Sequence, residues 1–193
     1  MSYIEGMAEP LPRGMTADEF IAWAMEQPDG KRYELVGGEV VGVSPEFVGH
    51  AVVKGRIVHR MLSEIERLGL DCTALPDGVP LRIDEATVCE PDAMLRCGPP
   101  LPYDATEIDD PLAVVEVRSR RLGGRDADAW VMEYFSLPSV RHYLIVLGDD
   151  RKVVHHHRRA PDAPIMTRVI QDGVVRLDPP GIVLRDFFPA DIG

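Results

Sequence analysis

Two carboxylates stand inside apolar, strand-like runs. Asp92 interrupts Val88-Cys89-Glu90-Pro91-Asp92-Ala93-Met94-Leu95, and Glu116 interrupts Pro111-Leu112-Ala113-Val114-Val115-Glu116-Val117-Arg118-Ser119. A carboxylate in such a setting is costly unless a cation compensates it, either a side chain or a metal. Strand alternation puts Val114, Glu116 and Arg118 on one face, and Val115 and Val117 on the other. If the strand of Asp92 is a neighbour, Asp92 and Glu116 converge. Two adjacent carboxylates repel, and one takes up a proton unless a cation lies between them. A hard, oxygen-seeking ion such as Mg²⁺ suits that place. It can activate water and stabilise charge on a phosphorane-like transition state. The competing reading is structural: Glu116 paired with Arg118 or Arg121. The pattern alone leaves both readings open.

The rest of the chain must position those acids. Its 193 residues suit one unit with a real core. No apolar run approaches the length of a membrane span. The N-terminus lacks a basic-then-apolar signal pattern, so a cytoplasmic location is expected. Cys72, Cys89 and Cys97 are odd in number and lack CxxC spacing, which predicts buried neutral thiols rather than a disulfide framework. The formal charge of −11 argues against tight non-specific nucleic-acid binding, so any such role needs a local basic patch. Lysine is confined to Lys31, Lys54 and Lys152. Arginine carries nearly all the positive charge, suited to phosphate or carboxylate forks but a poor proton carrier.

Residues 1–14 lack periodicity and read as a mobile arm before a unit at 15–193. Thr16 and Glu19 form a capping box for a helix over 17–27. Arg32 to Val36 and Glu39 to Val43 read as a hairpin around Gly37-Gly38. Ser44-Pro45 predicts the start of a long helix that Gly69 closes. On it Glu46, His50 and Lys54 share a stripe, solvated by default, with His50 near enough to the start to reach a site. Short strands are expected at 71–75 and 79–84, a helix at 125–136, an apolar strand at 140–147, its partner at 151–157, and further strands in 165–188. This order predicts an α/β (α+β) layer, a mixed sheet with helices packed on it, the 125–136 helix crossing between two apolar strands.

One string of motifs resembles a known family. Arg32-Tyr33-Glu34-Leu35-Val36-Gly37-Gly38-Glu39-Val40, then His50, Pro91-Asp92, Val115-Glu116-Val117-Arg118-Ser119, and later Asp126, Tyr134 and Val140-Arg141-His142-Tyr143 are similar to the Uma2 family. These are bacterial restriction-endonuclease-like domains of the PD-(D/E)XK nuclease superfamily. The resemblance covers roughly residues 15–160. It implies a restriction-endonuclease-like mixed β-sheet flanked by helices and a Mg²⁺ (or Mn²⁺) site. It also implies phosphodiester hydrolysis, with nucleic acid, DNA first, as the partner. It puts Asp92 and Glu116 at the metal-binding acids, Glu34 and Glu39 at acids around the hairpin, and His50 at a histidine opening the long helix. A homodimer is compatible with it.

The chain departs from the pattern at the lysine. The superfamily often carries one two residues after the second acid, where this chain has Arg118. Uma2-like chains carry it four residues before the helix tyrosine, where this chain has Trp130. Arginine stabilises an anionic transition state but does not serve as a general base. Lys54 is one stand-in. Arg120, Arg121 and Arg125, with Arg118, are the candidate phosphate-binding patch, or else a solvated loop paired with acids. The run Arg151-Lys152 to His155-His156-His157-Arg158-Arg159 reads as an exposed edge strand, since alternation sets His156 opposite its neighbours. Three readings therefore stand: a metal-dependent endonuclease, a degenerate relative serving as a binding or scaffold module, and an unrelated metal-binding fold in which the acids are structural.

Overall fold

Thr16 opens the first helix, α1 (Ala17–Met25), through a complete capping box. Its hydroxyl accepts the Glu19 N–H, and the Glu19 carboxylate accepts the Thr16 N–H. This computed structural model describes residues 11–28, 30–118, 127–171 and 173–189. Strands β1 (Tyr33–Val36) and β2 (Glu39–Gly42) follow, joined by Gly37 and Gly38, both at positive φ (56° and 82°) as a two-residue hairpin turn requires. Helix α2 (Val48–Leu68) ends on Gly69 in the left-handed region, with its N–H on the Glu66 and Ile65 carbonyls. Then come β3 (Cys72–Pro76), β4 (Leu81–Asp84), β5 (Thr87–Cys89), β6 (Ala93–Cys97) and β7 (Ala113–Arg118). Helix α3 (Ala127–Ser136), β8 (His142–Leu147), β9 (Lys152–His157), β10 (Met166–Gln171), β11 (Val175–Leu177) and β12 (Ile182–Leu184) complete the order.

The main sheet runs β10-β9-β8-β7-β6-β3. β7 and β8 are parallel, with α3 in the connection between them; the other neighbours are antiparallel. A second sheet runs β2-β1-β5-β4, and β11 pairs with β12. Alternation along β7 sends Val115 and Val117 to one face, against Val53, Ile57 and Met61 of α2. Val114 goes to the other, against Trp130 and Tyr134 of α3. Phe20 of α1 packs on Leu35, Val40 and Val88 of the small sheet.

Several expectations change. The run Val88–Leu95 is not one strand. β5 belongs to the small sheet and β6 to the main one, and the chain passes between them at Glu90-Pro91-Asp92. Pro91 has no N–H for a ladder, so the break falls where pairing is already lost. The long helix starts at Val48 rather than at Ser44-Pro45, and Phe47 occupies the N-cap without a side-chain bond. Residues Val43 to Glu46 instead line a cleft. β9 is no edge strand, because β10 covers it. Within its basic run, Arg158 is buried and donates to the Val140 carbonyl at 2.9 Å and the Phe135 carbonyl at 3.0 Å, tying down the end of α3. Cys72 and Cys97 are register partners on β3 and β6 and are joined as a disulfide, so only Cys89 is a buried thiol.

Candidate active site

The break between β5 and β6 is what delivers Asp92. The β6–β7 ladder has Ala93 opposite Val115; one step further sets Asp92 opposite Glu116, on the same face. There the Asp92 carboxylate does what the missing strand would have done, accepting the Val117 N–H at 2.6 Å through Oδ2. Glu116 is fixed from beneath. Its Oε1 accepts the Tyr134 hydroxyl at 2.6 Å, and the buried Cys89 thiol donates to that hydroxyl oxygen at 3.6 Å. Tyr134 is held in turn by Trp130, stacked on it at 4.9 Å.

The electrostatics follow from burial. Enclosure lifts the Glu116 carboxyl and the Asp92 charge lifts it further, to about 8, against the Tyr134 hydrogen bond and the Arg118 charge. Burial also raises Asp92, opposed by the Val117 N–H and by Lys54. For this pair, burial and mutual repulsion outweigh the compensation from Lys54, Arg118, Tyr134 and the Val117 N–H.

Lys54 supplies part of that compensation. Its Nζ lies 3.3 Å from Asp92 Oδ1, 2.7 Å from Glu46 Oε2 and 2.7 Å from Asp77 Oδ2. Burial works against the ammonium, but the hydrogen bonds to Asp77 and Glu46 and the Asp92 charge outweigh it and raise Lys54 above its ordinary value. Lys54 therefore stays protonated. Asp77, in the turn after β3, shares its Oδ2 with Arg32 Nη1 at 3.0 Å, and Arg32 Nε reaches Glu90 at 2.8 Å. Burial would raise the Asp77 carboxyl, but Lys54 and Arg32 outweigh it and lower it. An ion-pair chain Glu90–Arg32–Asp77–Lys54–Asp92 thus links the small sheet to the main one.

These groups face a cleft of about 580 Å³, lined among others by Glu34, His50, Asp92, Glu116 and Arg118. Those five are the catalytic candidates named from the sequence, and all five line this cleft. Glu34 sits on β1, where its Oε1 accepts the Glu90 N–H at 3.3 Å, and its charge adds to the lift on Glu116. His50 is buried in the first turn of α2, its ring edge-on to Phe47 at 5.9 Å. Glu39 lies apart, exposed and 3.9 Å from Arg13. Arg120, Arg121 and Arg125 lie outside the described residues. The 46/50/54 stripe corrects an expectation: His50 and Lys54 are buried, not solvated. It continues the stripe Val53, Ile57 and Met61, which packs on the main sheet, and the first turns of α2 line the cleft. Sequence reasoning missed Arg32, Asp77 and Tyr134 as members of this site. Two signals point to Lys54: its i,i+4 step from His50 and the lysine missing at Arg118 and Trp130.

Among the described residues, no group of three or more His, Cys, Asp or Glu is arranged to hold a metal ion. The donor set on offer is two carboxylates, Asp92 and Glu116. That fits Mg²⁺, which keeps several of its own waters and takes one or two protein carboxylates. The lifted Glu116 carboxyl marks the charge such an ion would balance.

A mixed sheet between helices, with paired acids at the end of two adjacent central strands, places the chain among α+β proteins of nuclease fold. The crystal structure of a "putative nuclease belonging to DUF820" from Anabaena variabilis shares this fold, with a TM-score of 0.63 over 86% of this chain and 90% of that one, at 14% sequence identity. The model of the Uma2 family, described as "Putative restriction endonuclease", matches residues 17–184, and the chain belongs to that family. No curated protein matches it by sequence. Among the described residues no helix is long and apolar enough to cross a membrane.

Proposed function

We propose that the protein is a divalent-metal-dependent endonuclease that hydrolyses phosphodiester bonds in DNA in the cytoplasm, its fold spanning residues 15–193 as one unit. The observation that carries this reading is the Lys54 ammonium 3.3 Å from Asp92, beside the Asp92 and Glu116 pair in one cleft. Asp92 and Glu116 would hold the ion, Mg²⁺ or Mn²⁺, which supplies Lewis-acid activation of water and of the phosphate. Lys54 takes the part of the lysine absent at Arg118 and Trp130. Held protonated, it is no general base; it faces the negative charge that grows on the phosphoryl oxygens. Arg118, always charged, adds to that field from β7. Glu34 and His50 border the site and orient what enters. Arg120, Arg121 and Arg125 follow β7 and would meet flanking phosphates. A homodimer acting on both strands belongs to the same reading.

The test is plasmid nicking by purified protein in Mg²⁺ or Mn²⁺, wild type beside Asp92→Ala and Glu116→Ala. Metal-dependent cleavage lost in both variants is the expected result. Absence of cleavage by wild type with either ion, across salt concentrations, transfers the weight to a degenerate binding module.

A further inference from the structure

Behind the Arg32–Glu90 ion pair lies a second pocket of about 370 Å³. Arg32 and Glu90 line both it and the catalytic cleft, so the two spaces share a wall. The chemistry changes across that wall. The cleft is lined by carboxylates and cations, whereas the second pocket has an apolar floor of Phe20, Ala24 and Val88, an aromatic side at Tyr33, and Lys31 at its rim. Tyr33 is braced by Trp23, whose ring meets it edge-on at 4.9 Å. A braced aromatic side over an apolar floor, with polar groups at one edge and a cation at the rim, is the environment that takes an unpaired base. The base's π-face needs apolar and aromatic walls; its edge needs donors and acceptors such as Arg32 and Glu90.

We infer that this pocket binds an unpaired nucleobase of the strand whose phosphate lies in the cleft, with Arg32 between base and phosphate. The inference rests on the nuclease reading and adds a substrate class: single-stranded DNA, or duplex in which one base is turned out. A fully stacked duplex presents no base to such a pocket.

The experiment is binding of a single-stranded DNA oligonucleotide carrying one 2-aminopurine, beside the same strand fully paired, to the whole protein in Ca²⁺. The variants are Ala24→Phe, which fills the pocket, and Lys31→Glu, at the exposed rim where folding is not at stake. Thermal melts monitor the fold. The expected result is tighter binding of the single strand with quenching of the 2-aminopurine. Ala24→Phe removes the quenching and weakens single-strand binding by roughly tenfold or more, the scale of one base stack. Lys31→Glu weakens it less, and both variants leave duplex binding nearly unchanged. Wild-type-like quenching and affinity in both variants overturn the base pocket while leaving the nuclease reading intact. A wild type that binds duplex as tightly as single strand, without quenching, does the same. A wild type that binds neither form of DNA overturns both.

Discussion

The cleft and the far end of the main sheet bury the same kind of problem with opposite solutions. At the cleft, Asp92 and Glu116 crowd together, and burial pushes both carboxyls up. At the start of β8 and the end of β9, His142, His155 and His157 crowd together, and burial pushes all three imidazoles down, His142 to about 4 and His155 to about 3. The histidines resolve the conflict by being neutral. His142 has one ring nitrogen 2.9 Å from the Pro179 carbonyl and the other 3.0 Å from His155. A carbonyl only accepts, so His142 donates to Pro179 and accepts from His155. The His142–His155 pair is satisfied within the fold, while His157 Nε2 lies buried beside it with no hydrogen-bond partner among the described residues. The acids are held differently. Among the described residues, Tyr134 donates to one oxygen of Glu116, Arg118 adds its charge there, Lys54 reaches Asp92, and both acids line a cleft. Neutral rings locked between strands need no counter-charge, whereas two carboxyls raised by burial and facing a cleft are the pair at which a cation would be tested.

The largest effect expected from that contrast is at Lys54. Lys54→Met should lower metal-dependent cleavage by about 10²–10³-fold, the usual cost of one transition-state charge partner. Lys54→Arg should restore part of it, because a fixed cation suffices if the role is electrostatic. Single-turnover nicking measures both. Full rescue of Lys54→Met by raised pH would instead mean a lost general base, against the protonated ammonium described above.

The mirror experiment is at the histidines. His142→Ala removes the ring that joins β8 to His155 and to the Pro179 carbonyl. Loss of two buried hydrogen bonds and a buried ring should cost about 2–4 kcal/mol by denaturant titration. Cleavage by the folded fraction should be unchanged. If His142→Ala instead spares stability and abolishes cleavage, the two regions have been assigned the wrong way round.

pH separates the regions by sign. His142 and His155 titrate lower in the fold than unfolded, so the unfolded chain binds their protons first. Their contribution is full above about 6.5 and falls away as pH drops toward 4, by roughly 1 kcal/mol per pH unit for each group in that window. Glu116 runs the other way. Its folded value, about 8, exceeds the ordinary 4.5, so the folded chain holds the proton longer. Stability from this group is full below about 4.5 and is lost as pH rises toward 8. The two windows overlap between about 4.5 and 6.5, where two histidines outweigh one carboxyl, so thermal melts across pH should show a shallow maximum near 6.5. Glu116→Gln should flatten the alkaline limb and steepen the acid limb. Mg²⁺ should raise the wild-type melting temperature more at pH 8 than at pH 5, and should not do so in Glu116→Gln.

Much of this was legible in the sequence, for physical reasons. Asp92 and Glu116 stand out because a carboxylate in an apolar strand contradicts its surroundings. Gly37-Gly38, Gly69 and the Thr16–Glu19 box mark their turns and caps through local backbone chemistry. What stayed hidden depends on contacts between distant segments. The stripe Glu46, His50 and Lys54 looks solvated, because nothing local says that the first turns of α2 line the cleft. The run Val88–Leu95 reads as one strand, and Pro91 alone hints at the change of sheet. Cys72 and Cys97 meet only through the β3–β6 register. His142 lies outside the run of three histidines, and the register opposite His157 brings it into the cluster.

Asp77 offers the smallest and most discriminating test. It touches neither Asp92 nor Glu116 in the contacts above, yet one of its oxygens holds both Lys54 and Arg32. Asp77→Asn keeps the shape and removes the charge. Lys54 would remain tied to Glu46 and Asp92, so the ammonium should persist but wander. The expected loss in cleavage is about tenfold, near 1.4 kcal/mol, carried by kcat rather than KM. Asp77→Glu should recover part of it, and the melting temperature should move little, since Asp77 and Arg32 are partly exposed and the buried Lys54 keeps Glu46 and Asp92 as partners. A change confined to KM would place Asp77 with substrate binding through Arg32 instead, and so attach it to the second pocket rather than to Lys54.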